Sequence, residues 1–119
     1  MEKIFTLSVD LLGSETKLED ILLGLDQSLL RNINYKFILF GNEKKIKRKI
    51  SKFKRLYQVT KIINCEEFVS MDDTPSDVIR SKANSSMSLA VKSVKDKEAD
   101  AILSFGNTGA LMSFSLLNI

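Results

Sequence analysis

The sequence has 119 residues, of which 44% are hydrophobic, enough apolar material for one packed domain and too much for a disordered chain. One cysteine and no histidine exclude an internal disulfide framework, a Cys/His metal cluster and any catalytic triad that needs imidazole. The net charge of +3 is local, because residues 44–55 hold eight Lys and Arg with no acidic residue and leave −5 on the remainder.

The N-terminal segment predicts neither secretion nor membrane insertion. MEKIFTLSVD lacks the long apolar stretch of a signal peptide, and no apolar run approaches the roughly 18–20 residues of a membrane span. We therefore expect a cytoplasmic protein. The single Cys65 lies at the end of a predicted strand and is expected to be a small buried hydrophobe.

The first predicted strand is followed by a predicted amphipathic helix. Residues 3–9 alternate between apolar and polar side chains, which is typical of a strand. Thr16 and Glu19 match a T-x-x-E capping box and predict that a helix begins there. The helix should end near Arg31. Its predicted apolar stripe is formed by Leu18, Ile21, Leu22, Leu25 and Leu29.

A second strand and helix follow at once. Residues 35–41, YKFILFG, are apolar and rich in aromatic and β-branched side chains, which predicts a buried strand. Gly41 and Asn42 predict a turn. The helix after it should present one apolar stripe, with the lysines on its other faces, and that stripe is Ile46, Ile50, Phe53 and Tyr57.

The rest of the chain predicts two more strands and three helices. Residues 59–65 and 99–105 are the predicted strands. Thr74 and Pro75 favour the start of a short helix, and Ser85 or Ser86 should cap the next one. That helix should turn Met87, Ala90, Val91 and Val94 inward. Asn107 and Thr108 should cap the last helix. Alternating strands and helices predict a three-layer α/β/α fold with a mostly parallel sheet.

Three turns follow predicted strands: residues 10–15, 41–45 and 106–109. The carboxyl ends of parallel strands share one edge, where α/β proteins bind ligands and where helix N-termini attract anions. The G-N-T-G turn at 106–109 is neither a Walker A loop nor G-x-G-x-x-G. Its alternative interpretation is a tight turn that lets a helix pack closely. Asp10 could orient a ligand or cap its own turn.

Two polar segments leave alternatives open. Residues 75–87 bring together five polar side chains, and the arginine among them could hold a phosphate or carboxylate through two hydrogen bonds. The alternative is a pair of capped helices with solvated charges. Those side chains are Arg80, Lys82, Asn84, Ser85 and Ser86.

The basic segment 44–55 suits an acidic protein, an anionic membrane surface, nucleic acid, or simply solvent. Base stacking has little support, because Phe53 fits the buried stripe, and we predict no nucleic-acid partner. Asp72 and Asp73 are expected to serve loop and capping roles rather than a metal site.

Two motifs together resemble the N-terminal part of bacterial PlsX-type phosphate acyltransferases. One is S-x-G-N-T-G-A-L-M, which begins at Ser104, and the other is P-S-x-x-I-R followed by S-S-M, which begins at Pro75. The opening strand that ends in Asp10 is similar as well. The resemblance runs in order over essentially all of residues 1–119.

The resemblance implies a reaction in which inorganic phosphate attacks the thioester of an acyl carrier protein and gives acyl phosphate. It also implies a fold like phosphate acetyltransferase and isopropylmalate dehydrogenase, a homodimer, no organic cofactor and no metal. Peripheral membrane contact would fit such an enzyme of phospholipid synthesis. The residues expected to contact phosphate or the acyl substrate are Asp10, Arg80, Ser85, Ser86, Gly106, Asn107, Thr108 and Gly109.

The sequence departs from this family in two ways. Family members usually carry M-G-G-D in the first turn, where this sequence has Leu12, Gly13, Ser14 and Glu15. Ser14 thus replaces a glycine of the kind that serves positive φ or close backbone approach. Family members also continue well beyond this length, so we expect an incomplete domain with weak or no activity alone. The alternative is a non-catalytic module that associates through its apolar C-terminal helix.

Overall fold

A computed structural model describes residues 3–31 and 34–119 of the chain. Four strands form one sheet in the order β3-β2-β1-β4, and every neighbouring pair is parallel. The four carboxyl ends therefore lie at the same edge. The strands are β1 Phe5–Asp10, β2 Tyr35–Gly41, β3 Thr60–Asn64 and β4 Ala101–Ser104.

Helices connect the strands, as parallel pairing requires. Two helices follow β2, and two more follow β3 before the chain returns to the sheet. The helices are α1 Leu18–Ser28, α2 Glu43–Ile50, α3 Lys54–Gln58, α4 Pro75–Ser81, α5 Ser86–Lys95 and α6 Thr108–Asn118.

One face of the sheet is covered by α1, α2 and α3. Successive strand side chains point to opposite faces, so Val9, Phe37 and Leu39 all reach this layer. They pack against apolar residues of α1 and α2 such as Leu22 and Ile46, and each of these five side chains is buried. This cluster forms the larger part of the core.

The opposite face is covered by α5, which contacts β1, β2 and β4. Ile38 and Phe40 point to this side and pack near Ala90. β1 places two polar residues here instead, Ser8 and Asp10, and both are buried. With helices on both faces, the predicted three-layer α/β/α fold is confirmed.

Helices α4 and α6 pack against each other, and α6 also packs on α5. A second apolar cluster joins them through Val78, Met87, Val91, Ala110 and Phe114. This cluster fixes the first turn of α6, and with it the 106–109 turn, beside the start of α5.

The predicted capping box at Thr16 and Glu19 is wrong. Helix α1 begins at Leu18 with Lys17 at its N-cap, and no side chain caps it. The Thr16 amide donates to the Ser14 hydroxyl at 3.0 Å, which makes Thr16 part of the preceding turn. Glu19 points instead toward Lys49 and Lys52, with which it forms ion pairs.

The single apolar stripe predicted from Ile46 to Tyr57 is also wrong. Two short helices, α2 and α3, replace one long helix, and the helical conformation is interrupted between Ile50 and Lys54. The break shifts the helical phase, so Leu56 is fully buried while Tyr57 is 58% exposed. Phe53 lies at the break and packs against the main core.

The other helix starts follow their predicted caps in part. The Ser85 hydroxyl accepts from the Ser88 amide, and the Asn107 side chain accepts from the Ala110 amide, so both caps are confirmed. Pro75 occupies the first turn of α4 as expected, but the Thr74 side chain does not cap that helix. Its hydroxyl donates to the Asp77 carboxylate instead.

Helix α6 is buried along one face only. Ala110 and Phe114 are buried, whereas Leu116 is 81% exposed and Leu117 and Met112 are exposed too. A helix that is apolar on almost every side suits burial on several sides, and the described residues cover one. Among residues 3–31 and 34–119, no helix has both the length and the apolar character needed to cross a bilayer.

Candidate functional site

Asp10 lies at the centre of the edge formed by the carboxyl ends of the strands. It is the last residue of β1, an inner strand, and it pairs in register with Ser104 of β4 and Phe40 of β2. Its side chain points to the α5 face and is 1% exposed. A carboxyl group so deeply buried requires hydrogen-bond partners.

Three donors converge on the Asp10 carboxylate. The Ser86 hydroxyl donates to Oδ1 at 2.5 Å, and the Leu12 amide donates to the same oxygen at 3.3 Å. The Ser104 hydroxyl donates to Oδ2 at 3.0 Å. One carboxylate thus joins the start of the first turn, the first residue of α5 and the end of β4.

Burial raises the pKa of Asp10 above its ordinary value of 3.8, while hydrogen bonds from Ser86, Ser104 and the Leu12 amide partly oppose that rise. The pKa of the Cys65 thiol is raised as well, first by burial and then by the Asp10 charge. Cys65 is 5% exposed, as expected for a small buried hydrophobe. A buried thiol with a raised pKa is not a reactive thiolate.

The 106–109 turn continues directly from this cluster. The Gly106 amide donates to the Ser104 hydroxyl at 3.1 Å, so Ser104 contacts both the carboxylate and the turn. Asn107 begins α6 through its side-chain oxygen, while its amide nitrogen donates to the carbonyls of Ser70 at 3.1 Å and Asp73 at 2.8 Å. All polar atoms of the Asn107 side chain are therefore occupied within the protein.

The first turn of α6 offers donors to an anion. The amides of Thr108 and Gly109 occupy the first two helical positions and have no acceptor within the helix. The Thr108 side chain is exposed beside them. Unpaired amides at the positive end of a helix dipole attract phosphate and carboxylate groups.

Gly109 serves close packing. A side-chain carbon at this position would lie 2.7 Å from Cγ of Pro75, which is closer than carbon atoms approach in proteins. The interpretation of this glycine as a packing residue is thus confirmed for the contact between α4 and α6. A packing role for Gly109 leaves its amide free for a ligand.

Ser85 and Ser86 are fully buried and already paired. The Ser85 hydroxyl caps α5, and Ser86 donates its hydroxyl proton to Asp10 and its amide proton to the Glu67 carbonyl at 3.0 Å. In this conformation both support the edge from behind. Their expected contact with a ligand stays a prediction.

Arg80 is exposed in the last turn of α4, and among residues 3–31 and 34–119 no carboxylate forms an ion pair with it. It lies five residues beyond Pro75, or about 7.5 Å along the helix axis from the contact with Gly109. The hydrogen bonds that join Asp10, Ser86, Ser104 and Gly106 do not include Arg80, and its expected contact with a ligand stays a prediction.

The first turn keeps its glycine where the backbone demands one. Gly13 has φ of +75°, and a side-chain carbon there would lie 1.9 Å from the Val69 carbonyl oxygen. Ser14 does not have positive φ, and its hydroxyl accepts from the Thr16 amide. The replacement of the family's second glycine by Ser14 is therefore compatible with this backbone.

Two contributors to the site escaped the sequence reasoning. Ser104 joins Asp10 to Gly106, and the loop between β3 and α4 holds Asn107 through its carbonyls. The first had a local signal, because a serine two residues before a turn glycine often accepts that glycine's amide proton. The second had none, since it depends on a contact across more than thirty residues.

Asp73 is held by hydrogen bonds within the loop that precedes α4. In the described ranges no three metal-ligating residues come together. The Asp73 carboxylate accepts from the Ser70 amide at 2.9 Å and from Lys82 at 3.0 Å, and the Ser70 bond followed by Lys82 lowers its pKa. The predicted loop role of Asp73 is confirmed.

Sequence comparison assigns the family. The family model described as "Fatty acid synthesis protein" matches residues 5–119, from the first residue of β1 to the end of the chain. This chain belongs to that family, the PlsX-type phosphate acyltransferases. Two similar curated relatives are the phosphate acyltransferases of Streptococcus pneumoniae strains Hungary19A-6 and CGSP14, each 42% identical over 113 residues.

The match covers 95% of this chain but only 32% of either relative, so the chain spans about a third of their length. Every residue of the Asp10 cluster and of the 106–109 turn lies inside the matched part. The region that the chain shares with the PlsX-type family thus contains this edge of the sheet.

Proposed function

We propose that the chain provides the phosphate-binding part of a phosphate acyltransferase acting in phospholipid synthesis. The observation that carries this proposal is the continuous connection from buried Asp10 through Ser104 to Gly106, which fixes the start of α6 at the ligand-binding edge of the sheet. Such an edge suits an anionic substrate better than an apolar one.

The proposed reaction joins inorganic phosphate to an acyl group. A phosphate oxygen attacks the thioester carbonyl carbon of an acyl carrier protein, the carbon–sulfur bond breaks, and the carrier leaves as a thiolate that takes up a proton. The free amides of Thr108 and Gly109 and the Thr108 hydroxyl would hold the phosphate. Donors at the same edge would also stabilise negative charge on the carbonyl oxygen.

The acidic carrier protein is the proposed partner of the basic segment 44–55. Part of its charge is already neutralised, since Glu19 pairs with Lys49 and Lys52, and Arg55 pairs with Asp26. Lys44, Lys45 and Arg48 stay exposed on the solvent side of α2 and could steer an acidic protein. A homodimer, peripheral membrane contact and a cytoplasmic location belong to the same proposal.

A chimaera tests the proposed reaction. Residues 5–119 would replace the matching third of the Streptococcus pneumoniae relative, and acyl phosphate formation from acyl carrier protein and phosphate would be measured. We expect turnover by the chimaera, weak or no turnover by the 119-residue chain alone, and at least a tenfold loss for Thr108→Val at about 1.4 kcal/mol of lost binding. A folded chimaera that makes no acyl phosphate would contradict the proposal.

Ser81→Ala is the matched control for Thr108→Val. The Ser81 hydroxyl is exposed and donates only to the Asp77 carbonyl within α4. Its removal should leave turnover unchanged. Equal losses in the two variants would show that the effect of Thr108→Val is not specific to the proposed site.

A second candidate function rests on helix α6. Its exposed apolar side chains, above all Leu116 at 81%, form a surface of the kind that protein partners cover. A non-catalytic module that associates through this helix would need neither phosphate nor an acyl group. The chimaera separates the two candidates, because only the first predicts turnover.

A further inference from the structure

The Ser104 hydroxyl contacts both the Asp10 carboxylate and the 106–109 turn. Its oxygen lies 3.0 Å from Oδ2 of Asp10 and 3.1 Å from the Gly106 nitrogen. It is the last residue of β4 and pairs in register with Asp10 of β1, so the sheet itself holds the two side chains together.

The donors and acceptors fix the direction of these bonds. A serine hydroxyl has one proton and two lone pairs. The Gly106 amide can only donate, so the Ser104 oxygen accepts from it and gives its own proton to the carboxylate. The result is a directed series from the Gly106 amide through Ser104 to Asp10, and bonds in such a series strengthen one another.

The other oxygen of Asp10 is held independently. Ser86 and the Leu12 amide occupy Oδ1, which anchors the carboxylate to α5 and to the first turn. Because the carboxylate is fixed at this end, its position can be transmitted through Ser104. The described structure shows no second polar route from Asp10 to Gly106.

We propose that Ser104 is a positioning residue that couples the Asp10 carboxylate to the 106–109 turn and so sets the amides of α6 for phosphate. This inference rests on the proposed function, since it takes phosphate as the ligand. Ser104 need not touch the phosphate. The alternative is a local turn in which Ser104 stabilises the backbone without any influence of Asp10 on the ligand.

Phosphate affinity of the 119-residue chain tests the coupling. Inorganic phosphate would be titrated into wild type, Ser104→Ala and Ser104→Thr, with Ser81→Ala as the control. Loss of one hydrogen bond corresponds to about a tenfold change in affinity. We expect about that loss in Ser104→Ala, affinity within about threefold of wild type in Ser104→Thr, and no change in Ser81→Ala.

A double-mutant cycle separates coupling from local support. Asp10→Asn should weaken phosphate binding in the wild type and have little further effect when Ser104 is already alanine. Additive losses from Asp10→Asn and Ser104→Ala would overturn the proposal, as would wild-type affinity in Ser104→Ala. If Ser104→Ala or Asp10→Asn unfolds, a tenfold loss of phosphate affinity in the folded Ser104→Thr variant would overturn the proposal as well.

The outcome for wild type distinguishes this proposal from the one on which it rests. Absence of phosphate binding to the folded wild-type chain would remove the proposed function and the positioning role together. Phosphate binding that is indifferent to Ser104 would remove the positioning role alone and leave the phosphate site standing.

Discussion

At the scale of single residues, Asp10 determines how the carboxyl edge of the sheet is assembled. Its burial leaves little surface for direct ligand contact, yet three separate segments donate hydrogen bonds to it. The position of Asp10 after the first strand was readable from the sequence. Its partners were not, because Ser86 and Ser104 lie 76 and 94 residues away along the chain.

The raised pKa of Asp10 predicts a dependence of stability on pH. The folded chain keeps a proton on Asp10 over a range where the unfolded chain, with a pKa near 3.8, has lost it. Stability from this group is therefore complete below the unfolded pKa and is lost as pH rises through the folded pKa. Asn cannot ionise, so the stability of Asp10→Asn relative to wild type should improve as the pH rises.

Urea unfolding of both proteins from about pH 4 to about pH 7 measures this difference. The pKa values of Glu19, Asp73 and Asp100 are lowered, so their contributions are lost as pH falls, equally in both proteins. The comparison cancels them. A stability difference that stays constant or moves against Asp10→Asn with rising pH would contradict the prediction.

Two glycines should respond oppositely to the same substitution. Gly13→Ala combines positive φ with a carbon placed 1.9 Å from the Val69 carbonyl oxygen, and it should lower the free energy of unfolding by at least about 2 kcal/mol. Gly24→Ala adds a carbon with nothing within 4 Å in the interior of α1, and it should raise that free energy by about 0.5–1 kcal/mol. Thermal and urea unfolding would measure both.

If Gly13→Ala were neutral, the close approach of the loop between β3 and α4 to the first turn would be wrong. A loss of stability in Gly24→Ala would instead contradict the open space beside α1 at this position. The two results are independent, because the substitutions lie in different elements.

At the scale of elements, helix starts were predicted well where the cap depends on one side chain. Ser85 and Asn107 cap α5 and α6 because each immediately precedes its helix and has a side-chain oxygen that accepts from the amide three residues later. Thr16 and Thr74 matched the same local patterns, but Thr16 lies in the turn before α1, where its amide donates to Ser14, and the Thr74 hydroxyl donates to Asp77. The break between α2 and α3 had no local signal, since apolar spacing continued across it.

The two sides of α6 should contribute very differently to stability. Phe114 is 3% exposed in the cluster shared with α4 and α5, so Phe114→Ala should cost about 3–5 kcal/mol. Leu116→Ser removes an exposed side chain and should change stability by no more than about 0.5 kcal/mol. Unfolding measurements on the two variants test the packing of this helix.

Sedimentation of the same variants tests the exposed side of α6. Wild type should associate as its concentration rises, because the apolar surface around Leu116 is open, and Leu116→Ser should associate less. A wild-type chain that stays monomeric at every concentration would count against association through this helix.

At the scale of the whole molecule, the sequence was sufficient for the fold class. Alternating strands and helices, with apolar side chains on both faces of 35–41, already required a parallel sheet covered on two sides. The strand order β3-β2-β1-β4 then brings the ends of β1 and β4 together. That adjacency creates the Asp10 cluster. It depends on the packing of α5 across the sheet, so no local sequence pattern predicts it.

The central claim is that the edge around the 106–109 turn binds phosphate, and a chemical-shift titration with inorganic phosphate tests it most directly. We predict saturable amide shifts concentrated at Gly106, Asn107, Thr108 and Gly109, with little change when sodium chloride replaces phosphate at equal ionic strength. Shifts that are confined to the lysine-rich helix α2 and that disappear when salt is added would contradict the account. They would show that the anion is attracted without specificity by positive charge.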